Sequence, residues 1–221
     1  MTALAAVLID MDGLLVDSEP VWTVAETELA AALGGAFTAE IKAAIVGTRL
    51  EVAVPTILAW YDAPRAEPDI AATSAWLLRR VAELFAGELP LLPGAGELLA
   101  DLREAGVPVA LVSSSYRVLV DAVLEQDIGP FAVTIAGDEV VHAKPDPEPY
   151  LTACSRLGVD PRAAVVLEDS PAGVASGEAA GCAVVAVPSV AGVNFSAAPR
   201  RLVVPALTQV GLAELIALVA A

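Results

Sequence analysis

A short apolar run near the amino terminus ends in two carboxylates that are one residue apart. The run, Ala5 to Ile9, is continuous and rich in branched side chains, as is typical of a strand buried on both faces of a parallel sheet. Asp10 and Asp12 follow it, and carboxylates beside a dry core are unfavourable unless something pairs with them. Because ligands of open parallel sheets bind outside the carboxyl ends of the strands, we predict that both aspartates serve a site.

From about residue 90 onward, strand-like and helix-like stretches alternate along the chain. Short apolar runs predict strands at 108–112, 133–135, 164–167, 182–187 and 202–204. Apolar residues at helical spacing predict helices at 97–105, 118–125, 149–157, 172–180 and 212–219. Strands that alternate with helices form parallel sheets with right-handed crossovers. The sequence therefore predicts an α/β fold whose core is a Rossmann-like parallel sheet.

A purely helical block separates the first predicted strand from the others. Its apolar spacing predicts helices at 22–33, 39–46, 50–60 and 69–85, and we find no strand pattern among them. We therefore predict a core domain of residues 1–17 and 90–221 and an inserted all-helical cap domain of residues 18–89. Such an insert leaves and re-enters the core near the carboxyl edge of the sheet, where a small domain can act as a lid.

Composition excludes several classes of partner and chemistry. The chain has 28 acidic and 12 basic residues, a formal net charge of −16, which disfavours nucleic acid and anionic membranes as partners. One histidine, His142, leaves little for a Ser-His-Asp or a multi-histidine zinc mechanism. The two cysteines are far apart and are interpreted as buried free thiols. Without a leader pattern or an apolar run of membrane length, we expect a cytoplasmic monomer.

Polar side chains follow several of the predicted strands, and one lysine lies on a proline-stiffened loop. These residues are Asp10, Asp12, Ser113, Lys144, Glu168 and Asp169. Parallel strands place them at one sheet edge, where two carboxylates ~4 Å apart repel by about 4 kcal/mol at an effective dielectric constant of ~20. A divalent cation removes that conflict, and oxygen ligands without cysteine or histidine favour Mg²⁺.

Each of these elements also has a purely local interpretation. Asp10 and Asp12 could form a turn with a helix cap, and Ser113 could cap the helix that follows it. Lys144 could be a solvated surface lysine, and Glu168 with Asp169 could be an acidic helix start. Their joint occurrence in this order, at strand ends and on a rigid loop, favours one shared site.

Four segments resemble the motifs of the haloacid dehalogenase superfamily, in the subgroup of β-phosphoglucomutase and small sugar-phosphate phosphatases. They are Asp10-Met-Asp-Gly-Leu-Leu-Val-Asp-Ser-Glu-Pro, Val112-Ser-Ser-Ser, Lys144-Pro-Asp-Pro and Leu167-Glu-Asp-Ser-Pro-Ala-Gly. The similarity extends over nearly the whole chain, including the early helical block. It is specific for the fold and for phosphoryl chemistry, and much weaker for the substrate.

The resemblance implies a role for each motif residue. Asp10 would attack a phosphomonoester and form an aspartyl phosphate, while Asp12 would act as general acid and then as general base. Mg²⁺ would be held by the Asp10 carboxylate, the Asp12 backbone carbonyl, and one or both of the acidic residues Glu168 and Asp169. Phosphoryl oxygens would be bound by the Ser113 hydroxyl, the Ser114 amide and Lys144. Dehalogenases of the superfamily do not need an acid at the position of Asp12, so phosphate-ester chemistry is favoured.

The helical block is expected to recognise the substrate, a small phosphorylated metabolite. Gly47-Thr-Arg49 resembles the substrate loop of the subgroup, and Glu19 and Trp22 are predicted to line the pocket. The alternatives are that Arg49 is a solvated helix charge and that Trp22 belongs to the core of the block. We predict hydrolysis of hexose or polyol phosphates.

Two other functions are less favoured than hydrolysis. β-Phosphoglucomutases carry a histidine where this chain has Trp22, which disfavours a mutase. A phospho-accepting signalling module, such as a receiver domain, is disfavoured for two reasons. Such a module is about half this length, and its acceptor does not lie on the first strand.

Overall fold

The strands of the described sheet all pair in parallel, as the alternation of apolar runs and helices predicts. The computed structural model describes residues 3–45, 48–87, 89–189 and 193–220. Within them, six strands form one sheet in the order β3-β2-β1-β4-β5-β6. The strands are β1 Ala6–Ile9, β2 Val109–Val112, β3 Val133–Ile135, β4 Ala164–Glu168, β5 Ala183–Ala186 and β6 Arg201–Val203. The predicted α/β fold is confirmed.

The chain forms two compact units, Met1–Asp17 with Leu89–Ala221 and Ser18–Glu88. The first unit contains the sheet and the helices α5 Ala95–Glu104, α6 Arg117–Leu124, α7 Glu148–Leu157, α8 Pro171–Ala179 and α9 Leu212–Ala220. The second contains α1 Glu19–Ala32, α2 Ala39–Ile45, α3 Leu50–Trp60 and α4 Glu67–Phe85, with no strand among its described residues. The function of residues 18–89 as a cap stays a prediction.

Strand β1 lies in the middle of the sheet, between β2 and β4. Ile9 is in register with Leu111 of β2 and with Leu167 of β4. The four residues of β1 are buried, as are those of β2 and β4. Because all three strands run in the same direction, the residues that follow them emerge at one edge of the sheet. This register decides which polar side chains can meet.

Several helices begin earlier than the apolar spacing predicts. The predicted starts at residues 22, 69, 149 and 172 become Glu19, Glu67, Glu148 and Pro171. Each of these helices has a proline in its first two positions. A proline there is favourable, because its fixed φ suits the helix and its missing N–H would have no intrahelical partner. Apolar spacing alone therefore places these four starts one to three residues too late.

The second unit has a small apolar core and its own ion pairs. Leu29, Ile41 and Ile57 are among the buried residues of that core. Arg80 binds Glu28 through two nitrogens, at 2.6 and 2.8 Å.

In the first unit, Cys154 and Cys182 are free and buried, as predicted. Across the described residues, no helix combines the length and the apolar character that crossing a membrane requires.

Candidate active site

The three central strands bring three of the predicted site residues, Asp10, Ser113 and Glu168, to the same edge of the sheet. The backbone N–H of Asp10, directly after β1, donates to the carbonyl of Leu167 on β4 at 3.1 Å. The N–H of Ser113, directly after β2, donates to the carbonyl of Ile135 on β3 at 2.9 Å. Glu168 is the last residue of β4. The sheet ladder thus continues through the site residues themselves and fixes their backbones.

Lys144 lies where β1, β2 and β4 end. Its ammonium is 2.6 Å from Asp10 Oδ1, 2.6 Å from Glu168 Oε1 and 2.9 Å from the carbonyl oxygen of Val112. Its side chain is 4% exposed. Burial alone would lower the pKa of Lys144, but the charges of Asp10 and Glu168 raise it above its ordinary value. The local alternative, a solvated surface lysine, is therefore wrong.

Glu168 is fully buried, and both of its carboxylate oxygens accept hydrogen bonds. Oε1 accepts from Lys144 and, at 2.8 Å, from the hydroxyl of Tyr150. Oε2 accepts from the Asp169 N–H at 3.0 Å, and from the N–H and hydroxyl of Ser170 at 3.1 and 3.0 Å. Burial would raise the pKa of Glu168, but Lys144 and the other donors hold it below its ordinary value. A Cβ on Gly173 would lie 1.8 Å from the carboxyl carbon, so helix α8 needs glycine there.

Asp10 and Asp169 carry the opposite shift. Burial raises the pKa of Asp10, against the effect of Lys144, and the neighbouring charges of Glu168, Asp169 and Asp12 raise it further. Burial likewise raises the pKa of Asp169 to about 7, although the Ser189 hydroxyl hydrogen-bonds its carboxylate. Both carboxyls therefore lie in surroundings where their negative charge is not fully balanced.

Three carboxylates form a candidate cation site. Ligand oxygens of Asp10, Glu168 and Asp169 lie within 4.8 Å of one another. Hard oxygen donors with uncompensated negative charge are the surroundings that Mg²⁺ prefers in proteins. The chemistry of this donor set therefore fits the ion that the sequence resemblance implies.

Asp12 lies on the turn after β1 and accepts hydrogen bonds from two serines. The hydroxyls of Ser113 and Ser115 approach its Oδ2 at 3.1 and 2.8 Å. The turn is closed by a hydrogen bond from the Gly13 N–H to the carbonyl of Val16 at 3.1 Å. Sequence reasoning gave Ser115 no role, although it is the third serine of the Val112-Ser-Ser-Ser motif.

The remaining predicted site residues are exposed or half-buried. Ser114 is exposed, on the loop after β2. In the second unit, the exposed Glu19 pairs with Lys42 at 2.9 Å, Trp22 is half-buried on α1, and the exposed Arg49 precedes α3. Gly47 lies outside the described residues. Contact of these second-unit residues with substrate stays a prediction.

Besides Ser115, four residues that sequence reasoning missed lie against the site carboxylates. Tyr150, Ser170, Gly173 and Ser189 all act on Glu168 or Asp169. Ser170 and Gly173 fall within the quoted Leu167–Gly173 motif, so a signal for them was present. Tyr150 resembled an ordinary core residue of α7, and Ser189 an ordinary loop residue.

Comparison with known proteins identifies the family. A model of the haloacid dehalogenase-like hydrolases matches residues 4–181. Hexitol phosphatase B of Escherichia coli (strain K12) is 34% identical over 188 residues, which cover 83% of each chain. The phosphorylated carbohydrates phosphatase of Thermotoga maritima is 30% identical over 178 residues, covering 80% of this chain and 81% of its own.

A solved structure has a similar fold over nearly the whole chain. CbbY from Rhodobacter sphaeroides, crystallised in complex with phosphate, has a TM-score of 0.83 and 29% identity and covers 96% of this chain and 99% of its own. The family expected from the four motifs is thereby confirmed. The chain belongs to the haloacid dehalogenase-like hydrolases.

Proposed function

We propose that the protein is a Mg²⁺-dependent phosphatase of small phosphomonoesters, with hexose or polyol phosphates as its substrates. The observation that carries this proposal is the buried contact of Asp10 with Lys144, at 2.6 Å, next to the carboxylates of Glu168 and Asp169. A nucleophilic carboxylate needs a fixed orientation and a nearby positive charge to meet an anionic substrate. The similarity to hexitol phosphatase B supports the substrate class.

In the first step, a carboxylate oxygen of Asp10 attacks the phosphorus atom in line. A bond forms between that oxygen and phosphorus, and the bond from phosphorus to the ester oxygen breaks. The leaving alkoxide takes a proton from the Asp12 carboxyl group. The products are an aspartyl phosphate and the free alcohol.

In the second step, water attacks the phosphorus of the aspartyl phosphate. The Asp12 carboxylate takes a proton from that water, and the bond from phosphorus to the Asp10 oxygen breaks. Phosphate leaves, and both aspartates return to their starting protonation states. The Ser113 hydroxyl, the Ser114 amide and Lys144 stabilise the phosphoryl oxygens in both steps.

The Asp10 carboxylate, the Asp12 carbonyl and Asp169 would hold the ion. The oxygens of Glu168 already accept hydrogen bonds from Lys144, Tyr150, Asp169 and Ser170. We therefore assign Glu168 to orienting the groups around the ion, and Asp169 to binding the ion directly. When bound, the ion screens the anionic nucleophile from the anionic substrate and polarises the phosphoryl group.

Stabilisation of the protein by Mg²⁺ is expected to depend on pH through Asp169. Its pKa is about 7 in the folded chain and about 3.9 when unfolded. Ionising it therefore destabilises the metal-free fold progressively from about pH 4 to pH 7, and fully above that range. Because Mg²⁺ requires the ionised form, it should raise the thermal unfolding temperature more at about pH 8 than at about pH 5.5.

Scanning calorimetry with Mg²⁺ or with chelator measures this directly. The variant Asp169→Asn should lose most of the increase, whereas Asp101→Asn, at an exposed position of α5, should keep it. An increase of the same size at both pH values would contradict the assignment of Asp169 as a ligand.

A substrate panel tests the proposed function. Purified protein is assayed for phosphate release from glucitol 6-phosphate, glucose 6-phosphate, a nucleoside monophosphate and 4-nitrophenyl phosphate, with Mg²⁺ and with chelator. We expect Mg²⁺-dependent release, fastest from the polyol and hexose phosphates. Conversion of β-glucose 1-phosphate to glucose 6-phosphate without phosphate release would establish a mutase, and stable phosphorylation without turnover a signalling module.

A further inference from the structure

We propose that Ser115 is a positioning residue that keeps Asp12 in place as the leaving-group acid. This inference rests on the proposed function and adds a residue to its machinery. The hydroxyl of Ser115 approaches Asp12 Oδ2 at 2.8 Å, the shorter of the two serine contacts with that oxygen. The serine and the aspartate are 103 residues apart in the chain, so the sheet alone brings them together.

The backbone of Ser115 is fixed on both sides. Its N–H donates to the hydroxyl oxygen of Ser113 at 2.9 Å, and its carbonyl accepts from the N–H of Gly137 at 2.8 Å. Gly137 packs closely against this loop, because a Cβ there would lie 2.1 Å from the carbonyl oxygen of Ser114. A hydroxyl on so constrained a backbone reaches Asp12 from a defined direction.

Ser113 cannot perform the same function throughout the reaction. A serine hydroxyl has one proton to donate. In the structure Ser113 donates its hydrogen bond to Asp12, but in the proposed mechanism the same hydroxyl donates its hydrogen bond to a phosphoryl oxygen of the substrate. Ser115 is therefore the hydroxyl that still holds Asp12 once substrate is bound.

The contact also bears on the direction of the Asp12 carboxyl group. A hydrogen bond from Ser115 to Oδ2 restricts rotation of that group, so Ser115 orients the acid as well as holding it. In the first step, which determines kcat/KM, the arrangement matters only when the leaving group must be protonated, because general-acid catalysis acts on that proton transfer.

This dependence gives a test that a merely structural residue would not pass. We compare kcat/KM for an alkyl ester, glucitol 6-phosphate, with that for 4-nitrophenyl phosphate, whose nitrophenolate leaves without protonation. For Ser115→Ala we expect a loss of about 10- to 100-fold on the alkyl ester and less than about twofold on the aryl ester. Ser115→Thr, which keeps the hydroxyl, should restore most of the alkyl-ester activity.

Two further variants complete the design. Ser155→Ala, at an exposed position of α7, is the matched control and should leave kcat/KM unchanged for both the alkyl and the aryl ester. If Ser115→Ala fails to fold, the near-isosteric Ser115→Cys replaces it, with the same selective loss expected because a thiol is a weaker donor.

The outcomes separate this inference from the proposed function. If the wild-type chain hydrolyses both esters and the Ser115 variants lose activity on both equally, or on neither, the positioning role is overturned and the phosphatase stands. If the wild-type chain hydrolyses no ester, the proposed function fails and the role of Ser115 fails with it.

Discussion

Replacing Asp10 by asparagine is expected to reduce kcat by about 10⁴-fold or more, because an amide oxygen is a poor nucleophile toward phosphorus. The variant should fold, since asparagine has nearly the same shape and Lys144 keeps its contact with Glu168. Its thermal unfolding temperature should stay within a few degrees of the wild type. Steady-state phosphate release from the fastest substrate of the panel measures the loss.

Two comparisons make this prediction specific. Asp101→Asn, the same chemical change at an exposed position of α5, should leave kcat unaltered. Binding of inorganic phosphate should persist in Asp10→Asn, because the donors Ser113, Ser114 and Lys144 are unchanged. Phosphatase activity that survives in the purified variant would remove Asp10 from the role of nucleophile.

The second large effect is expected from Lys144→Met. The substitution keeps most of the side-chain volume and leaves Asp10 and Glu168 without the buried cation that contacts both at 2.6 Å. Breaking a buried ion pair by removing one partner destabilises a protein by about 3–5 kcal/mol. We expect a loss of this size in the free energy of unfolding at neutral pH, together with loss of turnover.

The chain offers a matched control for that variant. Lys42 also lies between two carboxylates, Glu19 and Glu26, at 2.9 and 3.1 Å, but its side chain is 24% exposed. Lys42→Met should therefore reduce the free energy of unfolding by only about 1 kcal/mol or less. Chemical denaturation of the two variants gives the comparison, and equal losses would contradict the account of Lys144.

A double variant shows whether the uncompensated charge is the cause. In Lys144→Met the buried carboxylates of Asp10 and Glu168 repel each other. Adding Glu168→Gln removes one of the two charges, so it should recover part of the lost stability without recovering activity. The destabilisation of Lys144→Met should also shrink as the pH falls, because protonation neutralises Asp10 and Glu168. A destabilisation independent of pH would point to packing instead.

The sequence predicts the fold well because the central strands β1, β2 and β4 are short buried apolar runs that end at polar residues. In strand β1, for example, the apolar run ends where the carboxylates begin, so the sequence marks the end of the strand. The helix starts are less accurate, since Pro20 and Pro171 lie in the first turn of a helix although the apolar spacing places both starts after them. Local signals of opposite meaning, turn and helix start, share the same residue type.

The sequence predicts that charged residues after the central strands lie near one another, but it does not predict their contacts. Parallel strands imply that Asp10 and Glu168 lie near each other, since their strands are neighbours in register. The sequence does not reveal that Tyr150, a residue of helix α7, turns its hydroxyl to Glu168. It also does not reveal that the loops after β1 and β2 approach closely enough for Ser115 to reach Asp12. Such contacts depend on side-chain directions after the elements have packed.

The central claim is that Asp10 becomes phosphorylated during turnover, and chemical trapping tests it most directly. Protein mixed with substrate and Mg²⁺ is quenched in the steady state and treated with borohydride, which reduces an acyl phosphate to an alcohol, and the peptides are sequenced by mass spectrometry. The mechanism predicts reduction at position 10 only, absent without substrate and absent in Asp10→Asn. Phosphate release with an unmodified position 10, or trapping at another carboxylate, would contradict it.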